Sequence, residues 1–173
     1  MLLTAKELID KGIIIPSEYS KEAQVGIDLS LASVHKCEGG SVVYKDSTHI
    51  DPMLFEEVET QDVDGTEMWV LGKGVYAITF NEGCNVPANA AGFIIHRSSL
   101  YRTGNSIVSP IWDPGFATEK MGTVLVVNER LLVEKNARVA QMYFIQTTTN
   151  ANLYDGQYQG GTHSWEKKRT KKK

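Results

Sequence analysis

Cysteines and long apolar runs are both scarce in this 173-residue chain. Cys37 and Cys84 are its two cysteines, they lie far apart, and neither a CxxC nor an HxE pairing accompanies them. No zinc site is therefore predicted, and both cysteines are expected to be small buried hydrophobic residues. No apolar run approaches the roughly 18 residues of a membrane span, and charge interrupts the N-terminal MLLTAKELIDKG. We expect a cytoplasmic protein without a membrane partner.

The charge is unevenly distributed along the chain. Six of the 18 basic side chains lie in the final KKRTKKK, and one of the 21 acidic side chains is Glu166. Residues 1–165 therefore hold 12 basic against 20 acidic side chains. An acidic body argues against nucleic acid as the main partner. A short terminal lysine run is typical of a solvated end, so residues 166–173 are predicted to form a basic disordered tail.

The length and the 42% hydrophobic content predict one globular domain, which we place at residues 1–165. One helix is well signalled near the N-terminus. Thr4 and Glu7 form a T-x-x-E capping box, and Gly12 is a natural helix terminator. From Thr147 the chain becomes polar and glycine-rich. Residues 147–165, the arm, are predicted to be flexible, and a ligand or a neighbouring subunit would be needed to order them.

Short strand-like runs dominate the rest of the chain. Turns rich in glycine, proline and asparagine separate VGIDLSLASV, GSVVY, EMWVL, VYAITF, GFIIH, GTVLVVN, RLLVE and ARVAQMYFIQ. Each alternating strand buries one face and needs a second sheet to cover it, so this spacing predicts an all-β sandwich or barrel. The acidic residues 46–67 are expected to form an excursion from that barrel.

Anion-seeking side chains cluster after the GFIIH strand. HRSSLYRTG supplies Arg97, Ser98, Ser99 and Arg102, and guanidinium and hydroxyl donors match phosphate oxygens. The cluster predicts a phosphate cradle, although the arginines alternatively pair with surface carboxylates. Asp113 follows in WDPGF, where the Pro-Gly turn would hold it at a strand end, or where it simply forms the turn.

Several motifs then occur in a diagnostic order. HRSSLYRTG, DPGF, RVAQM and YDGQYQGGT resemble the successive motifs of the superfamily that contains dCTP deaminases and dUTP diphosphatases (dUTPases). QVGIDLSLAS resembles the first motif of that superfamily, and LTAKELIDKGIII is similar to the start of dCTP deaminases. The resemblance covers nearly the whole chain except residues 40–68 and the lysine tail.

This resemblance implies a distorted jelly-roll β-barrel with a short N-terminal helix, assembled as a homotrimer with sites between subunits. It implies a deoxypyrimidine nucleoside triphosphate as ligand, with magnesium (Mg²⁺) held through the phosphates and by no protein ligand directly. Phe116 would pack under the deoxyribose. The phosphate-binding residues would be Arg97, Ser98, Ser99, Arg102 and Gln141. The arm, expected to fold down only over bound ligand, would contribute Tyr154, Gln157 and Tyr158.

Two chemistries remain in competition at such a site. Cleaving dUTP to dUMP and diphosphate needs a carboxylate to activate water, a role that falls to Asp113 as general base. Deaminating cytosine without zinc needs a glutamate that aligns with Leu125, and leucine transfers no proton. For a deaminase, Glu119 or Glu129 would have to take the place of the missing glutamate. The sequence thus favours a dUTP diphosphatase. A dCTP deaminase, possibly bifunctional, and a catalytically inactive nucleotide-binding regulator are the alternatives, and the identity of the base stays open.

Overall fold

A computed structural model describes residues 1–39, 42–43, 45, 48–49, 54–156 and 158–160 of the chain. These residues form two helices, α1 (Ala5–Asp10) and α2 (Ser98–Tyr101), and sixteen strands. The strands are β1 (Ile14–Ile15), β2 (Lys21–Glu22), β3 (Ile27–Glu38), β4 (Val42–Val43), β5 (Thr48–His49), β6 (Leu54–Glu57), β7 (Gln61–Val63), β8 (Thr66–Leu71), β9 (Gly74–Phe80), β10 (Gly83–Asn85), β11 (Ala90–His96), β12 (Ser106–Val108), β13 (Ala117–Thr118), β14 (Gly122–Val127), β15 (Leu131–Glu134) and β16 (Arg138–Gln146). Neither helix in this part of the chain has the length and apolar character needed to cross a membrane.

Helix α1 begins at the predicted capping box. The Thr4 backbone N–H donates to the Glu7 carboxylate at 2.9 Å, and the Glu7 N–H donates back to the Thr4 hydroxyl at 3.4 Å. The helix ends at Asp10, and Gly12 follows with a φ of 62°, a left-handed conformation that favours glycine. The single predicted helix start and stop are confirmed.

An eight-stranded antiparallel sheet forms the body of the protein, with the order β11-β16-β3-β9-β14-β12 and with β2 and β6 also paired to β3. The long strand β3 pairs with β16 through its first half and with β9 through its second half. Its register shifts between Leu31 and Ser33, which bends the strand. The sheet is therefore nearly closed on itself, and the predicted all-β barrel is confirmed.

Apolar side chains from the inner faces of these strands fill the barrel. Each fully buried Leu, Ile or Phe contributes about 1.5–3 kcal/mol relative to an exposed one. Cys84 belongs to this core, as predicted, and burial raises the pKa of its thiol to about 12. Cys37 is only half-buried. Among the largest core side chains are Ile27, Leu29, Leu31, Ile78, Phe80 and Phe144.

A buried acid fixes the segment that precedes β2. Glu82 is fully buried, and its carboxylate accepts hydrogen bonds from the hydroxyls of Ser17 at 2.6 Å, Ser20 at 2.8 Å and Ser30 at 2.7 Å. The Ser30 N–H donates to it as well, at 2.9 Å. Because a buried carboxylate is costly without such donors, this cluster ties the chain before β2 firmly to β3.

We predicted that the acidic segment 46–67 leaves the barrel, and the structure differs from this prediction. From residue 54 onward it belongs to the sheets: β6 pairs with β3, and β7 pairs with β8 and so extends the β15-β8-β7 sheet. Trp69 of β8 is buried and donates its Nε1–H to the Val58 carbonyl at 2.9 Å. The sequence missed β6, β7 and several other strands of two to four residues because alternation is not detectable over so few positions.

The described part of the arm lies along its own domain. The backbone N–H of Thr147 donates to the Asn89 carbonyl at 2.8 Å, and that of Ala151 donates to the Ala88 carbonyl at 2.9 Å. These contacts belong to the described part of the arm, and the expectation that a ligand or a neighbouring subunit orders the arm stays a prediction. The lysine tail lies outside the described residues.

Candidate functional site

A cleft of about 610 Å³ opens where β11 ends and α2 begins. Its lining includes Arg97 and Ser98 from the predicted phosphate cradle and Gln141 from β16. It also includes the β2 segment from Lys21 to Gln24, which the sequence had not assigned to a site. Three of the predicted phosphate-binding residues therefore share one cavity.

Four side chains of the cleft form a row across adjacent strands. Lys21 on β2 pairs in register with Asp28 on β3, Asp28 pairs with Gln141 on β16, and Gln141 pairs with Ile95 on β11. Directly paired residues project from the same face of a sheet. Arg97 follows two residues after Ile95 and returns to that face. Strand register thus brings residues from four parts of the sequence to one wall of the cleft.

Arg97 is held from behind by a buried carboxylate. Its Nε lies 3.0 Å from Asp28 Oδ2 in an ion pair, and its Nη1 donates to the Arg138 carbonyl at 3.1 Å. The Asp28 side chain is 8% exposed, whereas that of Arg97 is 32% exposed. Arg138 Nε lies 3.9 Å from the same carboxylate oxygen. The two guanidinium groups and one carboxylate leave a net positive charge, and Arg97 lines the cleft.

The other predicted residues of the cradle are placed differently. Ser99 and Arg102 are exposed on and just after α2 and do not contribute to the described lining of the cleft. The Gln141 amide nitrogen donates to the Val25 carbonyl, so this side chain already joins β16 to the turn between β2 and β3. The pairing of an arginine with a carboxylate, which we considered as the alternative to a cradle, is present at Arg97, but the partner is buried.

Two aromatic residues close one side of the cleft. The His96 ring stacks on Tyr101 with centroids 5.4 Å apart and an interplanar angle of 12°. His96 Nδ1 is buried and has no hydrogen-bond partner within the described chain. Asp28 and His96 lie within the QVGIDLSLAS and HRSSLYRTG motifs, but these motifs alone predicted no role for either residue. Lys21 lies outside the quoted motifs, and its place in the cleft follows only from strand pairing.

A second group of predicted residues surrounds the Pro-Gly turn. Asp113 is exposed, and its carbonyl accepts the Phe116 N–H at 3.1 Å, which closes the turn. Gly115 adopts a φ of 85°, which an L-residue rarely tolerates. Phe116 packs edge-to-face against Trp112 at 5.4 Å and against Tyr154 at 5.2 Å. The turn therefore presents the carboxylate beside an aromatic cluster.

The arm covers this turn in the same chain. The Tyr154 N–H donates to the Pro114 carbonyl at 2.7 Å. The Gln159 amide binds both sides of the turn: its Nε2 donates to the Gly115 carbonyl at 2.7 Å, and its Oε1 accepts from the Ala117 N–H at 3.1 Å. Of the remaining predicted arm residues, Tyr158 is exposed, and Gln157 lies outside the described residues.

The cleft and the turn lie near opposite ends of β11. Trp112, which precedes Asp113, bridges to Gly92 through two hydrogen bonds of 2.9 Å, and Gly92 lies five residues before Arg97. A strand rises about 3.3 Å per residue, so roughly 16 Å of strand separates the two levels. In an antiparallel bridge the chain continues from Trp112 to Asp113 away from Arg97. Within one chain these two side chains therefore cannot contact the same phosphate.

The chain matches a known protein family and several of its members. The family described as dCTP deaminase-like matches residues 3–147. The chain belongs to the dCTP deaminase-like family. It is 32% identical over 143 residues to the deoxyuridine 5'-triphosphate nucleotidohydrolase of Methanocaldococcus jannaschii, a match that covers 83% of this chain and 90% of that protein. It is 30% identical over 160 residues to a probable deoxyuridine 5'-triphosphate nucleotidohydrolase of Archaeoglobus fulgidus, covering 90% of this chain and 92% of that one.

A solved structure shares the fold. The 2'-deoxycytidine 5'-triphosphate deaminase from Agrobacterium tumefaciens aligns with a TM-score of 0.61 at 14% sequence identity. The alignment covers 83% of this chain and 47% of the deaminase, so the chain spans about half the length of that protein. The family resemblance and the barrel fold expected from the sequence are both confirmed.

Within this dCTP deaminase-like chain, β14, the second strand after the Pro-Gly turn, carries no acidic residue. Leu125 of β14 is 1% exposed and pairs in register with Tyr76 and Ile107, all three in the hydrophobic core. The two acids considered as substitutes, Glu119 and Glu129, are both exposed in turns at the ends of this strand. Leu125 therefore has the surroundings of a packing residue.

Proposed function

We propose that the protein is a dUTP diphosphatase that hydrolyses dUTP to dUMP and diphosphate. The observation that carries this proposal is the buried, apolar position of Leu125, where deamination of cytosine would need a proton-transferring carboxylate. The dUTP hydrolases among the archaeal relatives support the same reaction. Phosphoanhydride cleavage needs only one activating carboxylate, and Asp113 supplies it.

Each predicted site residue receives a role in this proposal. Asp113 acts as the general base that orients and deprotonates the attacking water. Its exposure on a rigid turn supports this assignment. Phe116, fixed by Trp112 and Tyr154, packs under the deoxyribose. The proposed phosphate-binding residues are Arg97, Ser98, Ser99, Arg102 and Gln141. The arm residues that close over the ligand are Tyr154, Gln157 and Tyr158.

We propose Mg²⁺ as the cofactor, bound mainly by phosphate oxygens and water. The described residues contain no group of three or more His, Cys, Asp or Glu side chains arranged to hold a metal ion. The donors at the cleft are instead guanidinium, ammonium, hydroxyl and amide groups, which suit the phosphates. A cation that keeps most of its waters needs few protein ligands. When bound, Mg²⁺ would neutralise charge that develops on the leaving diphosphate.

A homotrimer with sites at subunit interfaces fits the geometry of the single chain. Arg97 and Asp113 lie too far apart in one chain to act on one phosphoanhydride, so a complete site needs the cleft of one subunit and the turn of another. The proposed assembly comprises residues 1–165 of each subunit as one domain, with the arm at 147–165 and the basic tail beyond. The two unpaired cysteines agree with a reducing, cytoplasmic location.

One incubation separates this function from its competitors. Purified protein with Mg²⁺ is supplied with dUTP or dCTP, and the nucleotides, diphosphate and ammonia are quantified. Release of dUMP and diphosphate from dUTP, with no ammonia from dCTP, is the expected result. Ammonia from dCTP would identify a deaminase instead. Tight nucleotide binding without any product would identify a regulator.

A further inference from the structure

Lys21 on β2 is a cationic residue of the cleft that has no role in the proposed hydrolysis of dUTP. We propose that Lys21 binds the terminal phosphates of the ligand and so makes the cleft selective for a triphosphate over a monophosphate. This inference rests on the proposed function, because it assumes that the cleft holds a phosphate chain. It names the residue that recognises the length of that chain.

The register of the sheet places Lys21 at the far end of the cleft from β11. Three strand-to-strand steps separate Ile95 from Lys21, through Gln141 and Asp28. Neighbouring strands lie about 4.8 Å apart, so the row is about 14 Å long. In the proposed complex, an extended triphosphate starts at Arg97 and Ser98, beside Ile95, and is directed along this row towards the Lys21 side chain.

Lys21 is one of the two cationic side chains among the described residues that line the cleft. The fully charged side chains in the described lining are Lys21 and Arg97 against Glu22 and Asp28. Without Lys21, the lining would hold Arg97 against two carboxylates, with Arg138 as a further cation 3.9 Å from Asp28, in a cleft that is proposed to hold several negative charges. Asp28 is already matched by Arg97 at 3.0 Å. Lys21 makes no ion pair within the described chain, so its ammonium group is available to a ligand.

The position of Lys21 is also well defined. The Glu82 carboxylate binds the hydroxyls of Ser17 and Ser20, directly before β2. On the other side, Gln141 donates to the Val25 carbonyl in the turn that follows β2. Both ends of this edge strand are therefore anchored to the barrel, and a lysine between them loses little further backbone freedom when it binds an anion.

The test compares wild-type protein with Lys21→Ala in the binding of ligands whose phosphate chains differ in length. Calorimetry measures the Kd of inorganic triphosphate, inorganic phosphate, dUMP and a non-hydrolysable α,β-imido analogue of dUTP. We expect about tenfold weaker binding of triphosphate and of the analogue, and a change of less than about twofold for dUMP and phosphate. Lys21→Arg should restore the affinity for triphosphate.

Lys73→Ala is the matched control, since Lys73 is likewise exposed, lies between β8 and β9 and does not line the cleft. It should leave every Kd unchanged. Equal losses for the short and long ligands, or no loss in Lys21→Ala, would overturn the assignment. Inorganic triphosphate carries no base, so selective loss of its binding would support Lys21 even if the wild-type protein hydrolysed no dUTP.

Discussion

Asp28 and Arg97 lie 69 residues apart in the chain and form a partly buried ion pair, with Nε and Oδ2 separated by 3.0 Å. The ion pair fixes the guanidinium group of Arg97, a proposed phosphate-binding residue, before a phosphate binds. Arg138 shares the carboxylate from 3.9 Å. A preorganised donor loses less conformational entropy on binding than a free arginine on the surface.

Asp28→Asn should lower both stability and affinity, because it leaves two guanidinium groups without their counter-charge. We expect the free energy of unfolding to fall by about 1–3 kcal/mol, less than for a fully buried pair because Arg97 is partly exposed. The KM for dUTP should rise as Arg97 loses its fixed position. Urea denaturation and steady-state kinetics measure the two effects. Glu38→Gln, which breaks the exposed pair with Lys36, should change stability by less than about 0.5 kcal/mol; an equal loss in both variants would contradict this account.

Asp113→Asn should abolish turnover of dUTP while nucleotide affinity stays within about tenfold, or roughly 1.4 kcal/mol. The amide keeps the shape of the turn but accepts no proton from water. Rapid-quench assays and binding of the imido analogue measure the two quantities. Glu119→Gln, an exposed acid six residues further along the chain, should retain full activity. Undiminished turnover in Asp113→Asn would remove this residue from its proposed role.

Leu125→Ala should destabilise the protein by about 2–5 kcal/mol, because it opens a cavity in the barrel core. Thermal and chemical denaturation measure this cost. Leu132→Ala, on β15 and 41% exposed, should cost much less. If Leu125→Ala were as mild as Leu132→Ala, Leu125 would not be the packing residue on which the diphosphatase proposal depends.

Helix α1 should give the protein a small acid-sensitive contribution to stability. Hydrogen bonds from the Thr4 backbone and hydroxyl, together with the charge of Lys11, hold the pKa of Glu7 below its ordinary value of 4.5. A lowered folded-state pKa contributes stability above the unfolded value, and this is lost as the pH falls through the folded value. Glu7→Gln should therefore be less stable than wild type at neutral pH, with a difference that shrinks in acid. Glu129→Gln, in an exposed turn, is the control, and a difference independent of pH would contradict the prediction.

Local features were predictable from the sequence because their determinants lie within a few residues of each other. The capping box of α1 joins residues three positions apart, and each longer strand carries its own run of strand-forming residues. The HRSSLYRTG motif likewise predicted hydrogen-bond donors for phosphate, and the WDPGF motif predicted a carboxylate in a turn. The β2, β12 and β13 strands escaped notice because their two or three residues form strands only against neighbours that the rest of the chain supplies.

The sequence by itself determined the barrel class, the helix start, the family and the chemical types of the site residues. Only the tertiary structure decided that Arg97 forms an ion pair with Asp28, that Lys21 lies in one row with Gln141, and that Asp113 lies near the other end of β11. The physical reason is that register and strand order arise from pairing between distant segments. No local pattern of side chains records which residue of one strand will face which residue of another.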